Sequence, residues 1–165
     1  MKYHIPLDEY PRRCVNQINE WKEMSKNLIG DSNLGHTRSH EYASYIMEAM
    51  VTGKPYSIGG NVLNTGHLIT DFPETACVEV PCLVDGSGIT PCHMGELPLQ
   101  LAAMNASNIY PQLLTIKAAA TLEKKYIYNA AMMDPLTGTE LNIKDIYAMV
   151  DEMLEAHKDW LPEYH

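Results

Sequence analysis

Between Cys77 and His93 the sequence places three of its four cysteines and a histidine, residue types that ligate metals or exchange thiols. Their order is C-x4-C-x9-C-H. This lacks the paired close spacings of zinc ribbons and fingers. Cys77 and Cys82 stand five residues apart across VEVPC, a stretch of strand composition, and regular alternation sends them to opposite faces. Free cysteine also tends to be buried as a small hydrophobe. Core or edge packing is therefore the expected role. A free-standing metal or redox protein built on Cys77, Cys82, Cys92 and His93 is the alternative.

Two smaller constellations carry polar chemistry. In RSHEY, Arg38, His40 and Glu41 stand at the mouth of a helix, where they can hold an anion or a sugar hydroxyl, or simply cap and pair. In NVLNTGH, Asn64, Gly66 and His67 form a strand-to-turn corner, a position asparagine and glycine favour for backbone reasons alone. The glycines of SIGGNVLNTG lack the G-x-G-x-x-G order of a dinucleotide cradle, and neither G-x-S-x-G nor H-E-x-x-H occurs. Met132, Met133, Met149 and Met153 read as adaptable packing.

The elements that must position these residues follow from periodicity. Over 8–29, Tyr10, Cys14, Ile18, Trp21, Met24 and Leu28 recur at helical spacing, with Pro11 in the first turn and Gly30 at the end. A second helix follows Ser39, presents Tyr42, Ile46, Met47 and Met50 on one face, and closes at Gly53. From Tyr56 the period turns extended: YSIGGNVLN, ACVEVPCLV and ITPCHM are short strands divided by turn residues. Pro81 cannot donate a ladder bond, which predicts a sheet edge or a bulge there. Residues 97–122 are helical with Pro111 inside, so a kink or two helices meeting near 108–110 is expected. A helix over 123–133 ends at Asp134-Pro135, and Asn142 caps a last helix carrying Ile143, Ile146, Val150, Met153, Leu154 and His157 on one face. Helices at both ends of a small antiparallel sheet make an α+β fold, mainly helical, rather than a doubly wound parallel one.

Composition bounds the partners. With 165 residues and 45% hydrophobic content the expectation is a single domain over 1–165. A net charge of −9 repels nucleic acid phosphates and anionic lipid, so neither nucleic acid nor membrane is an expected partner. No apolar run approaches a bilayer span, and MKYHIPLDEY lacks the basic and apolar regions of an export signal, which predicts a cytoplasmic protein with reduced thiols.

The runs EYPRRCVNQINEW, RSHEYASYI, GNVLNTGHLI, VEVPCLVDGSGITPCHMGELPLQLAAMNASNI, MMDPLTGTEL and VDEMLEAHKDWLPEY, in this order, resemble the C-terminal part of glycoside hydrolase family 4. The similarity is to its α-galactosidase and α-glucosidase branch, and VEVPC-x-VD-x-x-G-x-x-P followed by LP-x-QLAA carries it. It implies a fold like the second domain of lactate and malate dehydrogenases, and hydrolysis of α-glycosides that depends on NAD and a divalent metal, typically manganese. The implied course is hydride removal at C3, proton removal at C2, elimination of the leaving group, addition of water and return of the hydride.

In that family the nucleotide-binding Rossmann half, the metal ligands and the base precede the region matched here, so the resemblance assigns no catalytic, metal or cofactor residue to this chain. It leaves Arg38, Asn64 and His67 as the expected substrate-facing positions, and the N-terminal half, or a split-gene partner carrying it, as the expected partner, with homo-oligomers likewise expected. The resemblance leaves open whether the chain is itself an enzyme, since it lacks the nucleotide, metal and base motifs. It reads either as the C-terminal domain of such a glycosidase, inactive alone, or as a non-catalytic oligomerisation or interaction module derived from that family.

Overall fold

A run of alternating apolar and polar residues after Gly53 starts the sheet on which the rest of the fold is laid. The computed structural model describes residues 6, 8–30, 35 and 39–165. These fall into two compact units, divided after Glu41. The described part of the first is essentially helix α1, Glu9–Gly30. Its first turn carries Glu9, which pairs with Arg12 and accepts from Arg13 Nε at 2.8 Å, placing negative charge where the helix dipole favours it. Taken by itself, α1 buries none of its residues, and Ile18, Trp21 and Met24 of the expected stripe are exposed.

The second unit begins with α2, Ala43–Thr52, whose C-terminus is capped by Gly53 at φ +71°. Ala49 is its buried residue, with Tyr45 and Ile46 half-buried beside it. The inward face is thus turned from the expected one: of Tyr42, Ile46, Met47 and Met50, only Ile46 points in, and the other three are exposed. The reason is the stacking of Tyr45 on Tyr56 at the start of the sheet, with ring centroids 5.2 Å apart, which sets the rotation of the helix.

Strands β1 (Tyr56–Leu63), β2 (Cys77–Asp85) and β3 (Gly88–Pro91) form an antiparallel sheet in that order. Alternation along β2 is strict: Val78, Val80, Cys82 and Val84 are buried, while Cys77, Glu79, Pro81 and Leu83 face out. Each buried valine contributes about 1.5–3 kcal/mol of transfer free energy. Cys77 and Cys82 therefore do lie on opposite faces. Asp85 and Gly88 pair across the two-residue turn, and Asp85 Oδ1 accepts from Ser87 N at 2.7 Å.

Pro81 corrects the edge-or-bulge expectation. It lies within the central strand, opposite Gly59, with no break in register. Its carbonyl accepts from Cys92 N at 2.8 Å, so its own nitrogen faces the β3 side, one residue beyond the last β3 pair, Cys82 with Pro91. The missing N–H falls where β3 has ended, and the rung toward β1 loses nothing.

Helices complete the unit: α3 (Leu99–Thr121), α4 (Lys124–Met133), the short α5 (Thr137–Glu140) and α6 (Ile143–Ala156). Pro111 neither ends α3 nor divides it, so the two-helix alternative is not realised. Thr115 Oγ1 donates to the Pro111 carbonyl at 2.8 Å, one turn further along the continuous helix. Asn142 caps α6 as expected, its Oδ1 accepting from Asp145 N at 3.1 Å, while Ile146 and Val150 make the buried stripe. The sheet core gathers Ile69, Phe72, Ala76, Val78, Val80 and Cys82, with Ala106 and Ile109 of α3 packed against it.

Candidate functional site

The long connection 64–76 between β1 and β2 is where backbone, buried polar groups and an exposed imidazole converge. A buried loop must find partners for its backbone groups, and here one side chain supplies several. Asn64 has 0% exposure. Its Nδ2 donates to the carbonyls of Ile69 at 2.9 Å and Phe72 at 2.8 Å, and its Oδ1 accepts from Ile69 N at 2.8 Å. Its backbone N–H reaches Ala76 O at 2.9 Å, and its carbonyl accepts from His67 N at 2.9 Å. Asn64 is the hub on which the loop closes.

Gly66 and His67 both take left-handed backbone angles, φ +76° and +53°. Glycine adopts such angles freely; histidine does so only at a cost of order 1 kcal/mol. His67 is exposed, and its Nδ1 lies 3.3 Å from the Phe72 carbonyl that Asn64 also holds. A carbonyl only accepts, so this contact is a hydrogen bond when the proton is on Nδ1, the tautomer that leaves Nε2 as the lone-pair nitrogen. Glu74 Oε1 accepts from Gly66 N at 2.8 Å, tightening the same turn.

The loop is fastened on its other side as well. Met94 N donates to Leu68 O at 2.7 Å, Thr70 N to Gly95 O at 3.0 Å, and Leu97 N to Asp71 Oδ2 at 2.8 Å. The corner is thereby tied to the segment that enters α3. Chemically it offers a fixed hydrogen-bond acceptor and exposed carboxylates on a rigid base, which suits recognition of hydroxyl groups.

Of the three expected substrate-facing residues, Asn64 and His67 come together at this corner, and Arg38 lies outside the described residues. Asn64 is wholly enclosed and reaches a ligand only through the loop it holds. Of the other members of RSHEY, His40 and Glu41 are exposed, and Ser39 Oγ accepts from Glu41 N at 3.4 Å rather than capping α2.

Sequence reading missed a second polar cluster. Lys124 Nζ meets Asp151 Oδ1 at 2.6 Å, Tyr128 OH donates to the same oxygen at 2.5 Å, and Tyr128 stacks on Tyr147 with centroids 4.1 Å apart. The hydrogen bond from Lys124 holds the Asp151 carboxyl below the usual range, and the bond to Asp151 pushes Lys124 up. The four residues sit on two helices, α4 and α6, that are far apart in the chain, so helical periodicity places each on a face without pairing them. This geometry ties two helices and lies in an exposed setting.

Comparison with known proteins places the corner in context. Residues 1–137 match the model of the family 4 glycosyl hydrolase C-terminal domain. This chain belongs to that family. The family 4 domain is 58% identical over 160 residues to an α-galactosidase of Bacillus subtilis (strain 168), covering 97% of the chain and 37% of that protein. Its fold matches a 6-phospho-beta glucosidase from Thermotoga maritima solved with NAD and glucose-6-phosphate: TM-score 0.74, 19% identity, 92% of this chain and 38% of that one. It also matches a 6-phospho-alpha-glucosidase from gut microorganisms solved with NAD and Mn2+: TM-score 0.71, 20% identity, 96% of this chain and 35% of that one. The α+β architecture is thus the one shared by these glucosidases, and the family 4 domain spans about 37% of the length of the α-galactosidase it matches.

Neither group bound by those neighbours fits the described residues. Among them no three His, Cys, Asp or Glu side chains come together as a manganese shell requires. The sheet is antiparallel, without the parallel βαβ crossover whose helix N-terminus receives a pyrophosphate. Among the described residues no helix is long and apolar enough to cross a membrane.

Proposed function

We propose that this chain is the C-terminal domain of an α-galactosidase that hydrolyses α-glycosides by oxidation, elimination and addition, with NAD and manganese held outside the residues described. The observation that carries this reading is the 58% identity across 97% of the chain to an α-galactosidase. In it the domain supplies substrate-side walls, with His67 facing the sugar and Asn64 acting from behind, and it works against a nucleotide-binding half. Alone, the 165-residue chain is inactive.

The test is a pair of measurements with p-nitrophenyl α-galactoside, NAD and manganese. The chain by itself should release no nitrophenol. A chimera in which it replaces the corresponding segment of the Bacillus subtilis relative should release it. Hydrolysis by the chain alone would overturn the inactive reading; a folded chimera cleaving α-glucoside but not α-galactoside would overturn the substrate.

A second reading, a non-catalytic module that assembles copies of itself, draws support from α1, whose Ile18, Trp21 and Met24 are exposed along one helix. A chimera that folds and binds NAD yet cleaves neither glycoside would favour it. Light scattering showing a monomer over a wide concentration range would count against it.

A further inference from the structure

We infer that Asn64 is a positioning residue that locks His67 in its Nδ1–H tautomer, so that Nε2 is offered as an acceptor to a sugar hydroxyl. The second half of this statement rests on the α-galactosidase reading; the first does not.

Three observations carry it. The Phe72 carbonyl is shared, taking Asn64 Nδ2 at 2.8 Å and His67 Nδ1 at 3.3 Å, so one enclosed amide fixes the oxygen that orients the ring. Asn64 has no freedom to let that oxygen drift, because its amide is also bound to both polar groups of Ile69 and it has 0% exposure. Finally, His67 holds φ +53° with a bulky side chain in an exposed turn, directly after a glycine that takes the same region without penalty. A disfavoured backbone kept under an exposed imidazole points to use of the side chain.

The tautomer decides the role. A general acid needs its proton on the outward nitrogen, and here that proton is on Nδ1, engaged with the backbone. Nε2 therefore accepts. The complementary class is a hydroxyl donor, which a glycoside presents around its ring. The ties of the loop to 94–97 keep the ring's base in place while a ligand binds.

Long-range 1H–15N correlation on the labelled chain in mildly alkaline buffer tests the lock, with His67→Asn identifying the signal. The expected pattern is a protonated Nδ1 and a bare Nε2. Asn64→Asp should return the ring toward the Nε2–H form that free imidazole side chains prefer. A predominantly Nε2–H ring in the unsubstituted chain overturns the inference, and that spectrum decides alone if Asn64→Asp does not fold.

In the chimera, His67→Asn keeps a donor for Phe72 but lacks the outer acceptor. It should raise KM about tenfold with kcat within about twofold, and His67→Gln should recover part of the loss. An unchanged KM in His67→Asn overturns the acceptor role. An inactive unsubstituted chimera with a locked tautomer sinks the α-galactosidase reading and leaves the lock standing.

Discussion

Cys82 Sγ lies 2.6 Å from the point where a Cβ on Gly60 would stand. The two residues are diagonal neighbours on the inner face of β1 and β2, and Cys82 has 0% exposure. The glycine is there because the thiol fills the space a side chain would need. Gly60→Ala should cost about 1–3 kcal/mol by overpacking. Combined with Cys82→Ala it should cost less than the two changes summed, since removing the sulfur opens room for the methyl group. Urea unfolding of the four proteins measures this, and additive costs would contradict it.

The same alternation sorts the thiols. Cys77 and Cys92 are exposed and Cys82 is buried. An alkylating reagent followed by mass spectrometry should modify Cys77 and Cys92 in the folded chain, and Cys82 only at the rate of global unfolding. Labelling of Cys82 as fast as Cys77 would show that β2 is not packed as described.

At the corner, stability and recognition should separate. Asn64→Ala removes the donor to two carbonyls and the acceptor of Ile69 N, and should cost about 2–4 kcal/mol. His67→Gly relaxes a left-handed residue and should leave stability unchanged or raise it by up to about 1 kcal/mol. Thermal or urea unfolding checks both; a loss above about 2 kcal/mol in His67→Gly would mean the imidazole is structural.

Acid should loosen the turn before α5. The Asp134 carboxyl accepts from Thr137 N at 2.8 Å and Leu136 N at 3.1 Å, and these bonds, that to Thr137 foremost, hold it below the ordinary aspartate range. A depressed native value means the contribution is whole above the unfolded value near about 4 and is lost as pH falls below it. Asp134→Asn should therefore flatten the drop in urea midpoint between about pH 6 and about pH 3. An equal drop in both proteins would refute this.

Much of the frame was legible before any coordinates. Periodicity located α1, the three strands and α6 with its Asn142 cap, because each carries a local signal: apolar spacing, turn residues, or a side chain beside the N–H groups it caps. Where expectation and structure part, a contact between distant segments made the difference. The rotation of α2 depends on Tyr45 meeting Tyr56, and the acceptability of Pro81 depends on where β3 stops.

The candidate site divides along the same line. Asn64, Gly66 and His67 were visible as a corner because asparagine and glycine favour such turns by themselves. That Asn64 is enclosed, that Phe72 lends one carbonyl to two side chains, and that Lys124 meets Asp151 are facts of tertiary closure, fixed only when 64–76 folds over the sheet and α4 packs on α6.

By itself, then, the sequence determined family, fold class and the order of elements, since these rest on composition, period and short motifs read along the chain. The tertiary structure decided which polar residues are enclosed and which present a free face, because a buried amide chooses its partners from segments that the chain brings together only on folding.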